Sequence, residues 1–227
     1  MDNNIDNLNT IANMYENKYR IYKEKYNTLK NKINSFKFTD NLIWRRAEKH
    51  FLPGHIDVSR VEQAIINAPS SYGLQPFKVL KITDLSTKEK IKSACFNQSQ
   101  ITECHTLYIF CALRNLEERI EDYVKQTGFI NKKKYMLEYI VNKSKVPDQV
   151  EWAKQQAYLA LGFGLAAATE QKIASCPMEG FKPDELSKLL NLDNNLVPCV
   201  LFALGRKKDD YELEKRFRFK DIIESIN

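Results

Sequence analysis

The stretch WAKQQAYLALGFGLAAATEQ, residues 152–171, limits the architecture more than any other part of the chain. It reads as one long helix, yet Ala153, Ala157, Ala160, Gly162, Gly164, Ala166, Ala167 and Ala168 line it with small residues. Two glycines inside a helix cost on the order of 1 kcal/mol each relative to alanine. That cost is tolerable where small residues let another backbone approach closely. The helix is therefore expected at the centre of a domain or across a subunit interface. Pro147 suits its first turn, and it should end about Gln171.

Around this helix the chain alternates strand and helix signals. HTLYIFCAL (105–113) is the strongest strand candidate, and FKVLKI (77–82) is short, β-branched and apolar. IASC (173–176) and VPCVLFALG (197–205) read as further strands, with the helix PDELSKLL (183–190) between them. IDVSRVEQAIINA (56–68) predicts a helix with Ser59 near its start, and Thr87 is expected to begin a helix through Lys92. The charged segment from Asn115 to Asn142 is helical in pattern, with an interruption at Gly128. Strands interspersed with helices in this way indicate an α+β fold.

Residues 2–37 stand apart, with neither Gly nor Pro. Apolar residues recur at Ile5, Leu8, Ala12, Tyr15, Tyr19, Tyr22, Tyr26, Leu29, Ile33 and Phe36, in alternating steps of three and four. This is the seam of a coiled coil or of a long amphipathic helix. Tyrosine at four seam positions is unusual for a tight two-stranded coil, so a helix lying on its own domain or on a partner subunit is the equal alternative. Thr39 or Asp40 is an expected N-cap for a new helix near Leu42. The division expected is an N-terminal helical extension, 1–38, and one domain, 39–227.

A hydrophobic content of 43% and a charged content of 28% belong to a folded domain and argue against global disorder. No apolar run approaches a membrane span, and MDNNIDNLNT lacks a secretory start, so a cytoplasmic location is expected. The five cysteines form no CxxC pair and have apolar neighbours, which indicates reduced thiols rather than a disulfide framework or a zinc site. The net charge of +6 admits nucleic acid, an anionic membrane surface or an anionic small molecule. The basic residues are scattered and charge alone decides nothing among these; with no spanning segment, neither a membrane nor nucleic acid is the expected partner.

No motif for a hydrolytic triad, a zinc protease or a phosphate-binding P-loop is present. Gly162-Phe163-Gly164 lies inside a helix and lacks a third glycine, so it is no dinucleotide fingerprint. His50, His55 and His105 sit apart and read as structural or surface histidines. A chain with a good core and no acid–base apparatus invites a bound cofactor that carries the chemistry. Four segments could hold one, although each alone has a plainer reading. WRRAEKHF (44–51) places Arg45, Arg46 and Lys49 within a helical turn or its exit, with Arg45 and Lys49 able to share a helix face and grip a phosphate; alone it is a basic helix end. APSSYGLQPF (68–77) offers the Ser70 and Ser71 hydroxyls and free backbone N–H groups, or is merely a turn. CPMEGF (176–181) reads as a strand end followed by a glycine that lets backbone pass close to something flat, or as a connection. KRFRFK (215–220) alternates Arg216 and Arg218, or is a basic tail.

Together these pieces resemble the FMN-binding nitroreductase family from about residue 42 onward. The branch that carries SSYGLQP, NQSQIT, the long WAxxQAYxALGF helix and SCPMEGF is matched by residues 70–77, 97–102, 152–163 and 175–181 in the same order. The resemblance implies an α+β sandwich with a mostly antiparallel sheet flanked by helices, forming an intertwined homodimer with two FMN sites at the interface. It implies that Arg45, Ala47 and Lys49, with Arg46 beside them, line the FMN phosphate and ring edge, and that Ser70, Ser71 and Gly73 reach the flavin from the other subunit. Asn97 and Gln100 would bond the pyrimidine end or ribityl chain. Pro177, Met178, Glu179 and Gly180 would pass over one face, with the Glu179 N–H directed at N5, and Arg216 and Arg218 would close on the phosphate. Three departures from the family are visible: Ala at 47 where many members have Ser, Arg at 216 where Lys is usual, and no proline after the final Arg-Phe pair.

The activity implied is NAD(P)H oxidation through FMN, with ping-pong reduction of a nitroaromatic, quinone or similar flat acceptor. No indispensable proton-shuttling side chain is expected. Tyr72 and Phe129 would line the acceptor pocket, Phe129 from a variable segment that lids it. The alternatives are a flavin-holding scaffold tethered through residues 2–37, or a flavoenzyme that dehalogenates or dehydrogenates one metabolite.

Overall fold

The computed structural model describes residues 14–28, 41–42, 44–142, 148–208 and 222–225. The chain divides into two compact units, Met1–Ile43 and Trp44–Asn227. In the first, residues 14–28 form helix α1, which carries Tyr15, Tyr19, Tyr22 and Tyr26 of the predicted seam. Thr39, Asp40 and Pro147 lie outside the described residues.

In the second unit the elements follow one another as β1 (Phe51–Leu52), α2 (Ser59–Ile66), β2 (Phe77–Ile82), α3 (Leu85–Ile91), α4 (Gln100–Glu103) and β3 (Thr106–Leu113). Then come α5 (Leu116–Thr127), α6 (Ile130–Met136), α7 (Gln149–Glu170), β4 (Ala174–Met178), α8 (Pro183–Leu190) and β5 (Leu196–Lys207). All strand pairs are antiparallel, and β5 is the hub, pairing with β1, β3 and β4, while β2 pairs with β3. The α+β sandwich expected from the sequence is the fold observed.

Every residue of β3 is buried, which explains why its sequence is an unbroken apolar run rather than an alternation. Leu107, Ile109 and Cys111 face one layer of core, closed by Ile91 of α3 and Leu186 of α8. Tyr108 and Phe110 face the other, with Val61 and Ile65 of α2 and Ala157, Ala160 and Leu161 of α7. The small residues of α7 allow that packing: a Cβ at Gly164 would stand 2.9 Å from Cγ1 of Ile65 and 3.3 Å from Cε1 of Phe202. A third cluster joins Leu116 and Ile120 of α5, Met136, Ile140, Trp152 and Ala153.

Several boundaries differ from the sequence reading, each for a local reason. The helix expected from Thr87 begins at Leu85, because the Asp84 carboxylate caps it by accepting from the N–H and hydroxyl of Thr87 and the hydroxyl of Ser86. The 115–142 segment is two helices, parted by Gly128 at φ +71, and ends in a π-helical turn, Leu137–Val141. Asp148 caps α7 through the N–H groups of Val150 and Glu151.

One buried cation is structural. Lys88 is 3% exposed, and its ammonium donates to the carbonyls of Cys104 at 2.6 Å and His105 at 3.0 Å, just beyond α4. Lys88→Met keeps the length and removes the donor. It is expected to cost about 1–3 kcal/mol, read as a lower urea midpoint, because both carbonyls lose a charged partner in a dry site. An unchanged midpoint would deny the ammonium this role.

Candidate active site

The edge of β4 gathers two sequence-distant segments. Residues 45–50 run alongside it, tied by the bridge between Ala47 and Ser175 and by the Glu48 N–H, which donates to the Ser175 carbonyl at 2.9 Å. The helical relation expected between Arg45 and Lys49 is therefore wrong, since this segment is extended. The charges of both cations still reach β4 at Cys176. Burial pushes the Cys176 thiol above its ordinary value, while the nearby charges of Lys49 and Arg45 pull the other way, and the Gln100 side chain hydrogen-bonds the sulfur. Arg46, bonded through Nη1 to the Arg45 carbonyl at 3.0 Å, and Lys207 lie on the same small cavity as Arg45. Glu48, between the cations, is 3% exposed. Burial raises its carboxyl above the usual range, against the His50 and Lys49 backbone and the charge of Lys207, which weakens its claim on the neighbouring positive charge.

The second segment is 95–100. Phe96 and Asn97 are both left-handed, at φ 53 and φ 55, which turns the chain so that Gln98 faces the β4 exit. Its Nε2 donates to the Gly180 carbonyl at 2.6 Å and to the Cys95 carbonyl at 3.0 Å. A Cβ at position 180 would stand 3.2 Å from that Nε2, so glycine is what lets the strap close here. Ser99 Oγ donates to the Lys49 carbonyl at 3.2 Å and completes the junction. Gln98 was not singled out from the sequence, although it lies within the NQSQIT motif. Asn97 is exposed, whereas Gln100 is 5% exposed with its amide on Cys176, so it supports the site from below.

Strand β4 runs on past Pro177 to Met178, further than the IASC reading. Met178 is 5% exposed and belongs to the core, while Glu179 and Gly180 are open. The Glu179 carboxylate is held by α7: Tyr158 donates its hydroxyl to Oε1 at 2.6 Å. Burial and this bond raise the Tyr158 phenol well above its usual value, so it remains a donor. A groove of about 610 Å³ opens here between Tyr158, Glu179, Lys154 and Cys199.

The serine loop is anchored elsewhere, on the first turns of α7 and on the helical segment after β3. The Ser71 N–H donates to Oε1 of Gln156 at 2.9 Å, and Ser70 Oγ accepts from the Gln75 N–H at 2.8 Å. Tyr72 at φ 60, Gly73 at φ 70 and Gln75 at φ 46 fold the loop tightly, a strained arrangement for two non-glycine residues. Tyr72 meets Tyr139 of the π-helical turn edge-to-face, with centroids 5.8 Å apart. Phe129 is 51% exposed and lies under the Lys132 ammonium, 4.5 Å from its ring centre. Tyr139 is thus the aromatic partner of Tyr72; a ring within a charged helical segment carries no sequence signal of its pairing. Arg216 and Arg218 fall outside the described residues.

The five cysteines are free, and among the described residues no group of His, Cys, Asp and Glu could hold a metal. No described helix is long and apolar enough to cross a membrane. His50 pairs with Glu103 at 3.2 Å, and His105 bonds Thr106 at 2.8 Å, in keeping with structural roles.

Comparison with known proteins agrees with this geometry. The profile described as Nitroreductase family matches residues 42–206. MhqN of Bacillus subtilis, named for an NAD(P)H nitroreductase, is 24% identical over 195 residues, which cover 80% of this chain and 94% of its own. The crystal structure of YdfN from Bacillus subtilis, named for a nitroreductase, has a TM-score of 0.74 at 20% identity, covering 83% of this chain and 98% of that one. A Staphylococcus epidermidis chain named for an NAD(P)H:FMN oxidoreductase has a TM-score of 0.67 at 23% identity, covering 84% and 96%. These likenesses of structure concern the fold. With a family profile spanning the whole sheet and the residues gathered on β4, the chain belongs to the nitroreductase family of oxidoreductases.

Proposed function

We propose that this protein is an FMN-dependent NAD(P)H oxidoreductase that acts as a homodimer on flat acceptors such as nitroaromatics and quinones. The observation that carries the reading is that residues 45–49 run alongside β4 through the Ala47–Ser175 bridge, with the Lys49 carbonyl and the 177–180 strap held together by Ser99 and Gln98. The donor set fits FMN: a guanidinium fork and an ammonium suit a phosphate and an electron-rich ring edge. The exposed backbone at Glu179 and Gly180 suits the face of a planar ring. Arg216 and Arg218 are proposed to add to the phosphate grip. The name of the Staphylococcus epidermidis neighbour supports FMN, and that of MhqN supports NAD(P)H as reductant.

FMN, when bound, would supply the redox chemistry between NAD(P)H and a flat acceptor. The protein's share is binding, orientation and charge. Lys49 would favour negative charge on the reduced ring. Gln98 and Ser99 hold the strap and the Lys49 backbone in register, and Tyr158 fixes the Glu179 side chain. The Tyr72–Tyr139 pair, with Phe129 beyond it, would form the aromatic wall of the acceptor pocket.

A homodimer is supported by α7, which leaves Tyr158, Leu159 and Phe163 37%, 43% and 42% exposed. Gly162 lies among them with nothing within 4 Å of where a Cβ would be, so a second backbone could approach there. A second copy would also bring the serine loop, anchored away from β4 in its own chain, to the first copy's strap. Purified protein is expected to be yellow with about one FMN per chain, and to bleach under anaerobic conditions on addition of NADPH or NADH. Colourless protein that takes up no added FMN would end this reading.

A further inference from the structure

Helix α1 presents a face that the reductase reading does not use. Tyr15, Tyr19 and Tyr22 are 70%, 68% and 62% exposed, and Tyr26 on the same stripe is 63% exposed. With 3.6 residues per turn, the spacing of four, three and four aligns all four rings over three turns. The same geometry puts Lys18 and Lys25 along one border of the stripe and Lys23 with Glu16 along the other, with Glu24 on the opposite side. The Lys23 ammonium lies 5.9 Å from the centre of the Tyr19 ring, so the cationic border reaches the aromatic face.

Such a face is poorly made for a dry seam. Closing it on a second copy of itself would bury phenol hydroxyls without assured partners. A parallel pairing would also set Lys18 against Lys23, where a coiled coil wants opposite charges. Tyrosine and lysine share another preference. Each has an apolar body and a polar tip, and each settles where hydrocarbon meets water, with the ammonium reaching out to anionic headgroups. A flat anionic surface requires no complementary holes and matches the charge of the Lys18–Lys25 border.

We propose that the tyrosine face of α1 docks the protein on an anionic lipid surface, as a helix lying in the plane of the interface. This revises the sequence expectation of no membrane partner, which rested on the lack of a spanning segment, and it is independent of the proposed reductase function. The test is co-sedimentation of the full chain with vesicles of equal parts phosphatidylglycerol and phosphatidylcholine, against vesicles of phosphatidylcholine alone. Binding to the first and not the second is expected, and it should be lost at about 0.5 M salt. The variant Lys18→Glu/Lys23→Glu/Lys25→Glu should lower partitioning by about 100-fold. The variant Tyr15→Ala/Tyr19→Ala/Tyr22→Ala keeps every charge and the helix propensity, and should lower it by about 10-fold or more. Circular dichroism and the melting midpoint are expected to match the parent in both.

No binding by the parent chain would overturn the proposal. So would tyrosine variants that bind as well as the parent, since adsorption would then be a property of the whole cationic molecule. A tyrosine variant that forms a smaller assembly in sedimentation, with vesicle binding unchanged, would reassign the face to a second copy.

Discussion

Replacing Arg45 and Lys49 together by glutamine is expected to weaken FMN retention by about 100-fold. Each change removes a charge-assisted hydrogen bond worth roughly 1.5–3 kcal/mol to an anion, and the loss of about 3 kcal/mol in all corresponds to two decades of affinity. The two side chains leave from opposite sides of Ala47, whose bridge to Ser175 fixes the backbone between them. The substitution should therefore leave the fold in place, and the melting midpoint of flavin-free protein checks this. Arg45→Lys is expected to lie between parent and double variant, because it keeps the charge and loses the planar fork. Titration of flavin-free protein with FMN, followed by quenching of flavin fluorescence, reads both. Retention within a factor of about three of the parent would remove these residues from the site.

The second large effect is on stability and comes from Gly205. A Cβ there would stand 2.6 Å from Cδ1 and 2.9 Å from Cγ of Phe51, whose ring is 5% exposed. The ring cannot retreat easily, because Phe51 and Leu52 are paired with Lys207 and Arg206 on the same strand. Gly205→Val should cost about 3 kcal/mol through overpacking, lowering the melting midpoint by about 8 °C. It should also loosen residues 45–50, which precede β1 directly, so flavin retention is expected to fall with stability. A double-mutant cycle of Gly205→Ala with Phe51→Leu is expected to show coupling of about 1 kcal/mol or more. Additive costs would mean that the ring is not the obstacle.

Much of the scaffold could be read directly. The apolar run 105–113 marks the doubly covered strand β3, and the Ala- and Gly-lined segment marks α7 lying against α2 and the sheet. Local signals of composition carried these elements. What stayed hidden depends on pairing across the chain. Strand β1 is two residues long, and only its partner more than 150 positions later makes it a strand. The helix face expected to be shared by Arg45 and Lys49 failed for the same reason, since the bridge to Ser175 fixes the chain beyond Trp44 in a non-helical course. Within the site, the residue types were legible through the resemblance, but their division of labour was not. Gln98 holds the strap, Gln100 lies beneath it and Tyr139 answers Tyr72, and each assignment follows from a left-handed turn or a π-helical turn that the sequence does not signal.

The hub role of β5 has a bearing on how the protein is made. Strands β1 and β4 find their only described strand partner in residues 201–207, whereas β2 and β3 can pair with each other much earlier. During translation strands β1 and β4 therefore stay unpaired until Lys207 has cleared the ribosomal exit tunnel, and an early collapse of the sheet can form only the β2–β3 ribbon. The nascent chain must keep β1 from mispairing for most of its synthesis, and the Cys176 edge until β5 follows, which makes this protein a natural client for chaperones that shield unpaired strands.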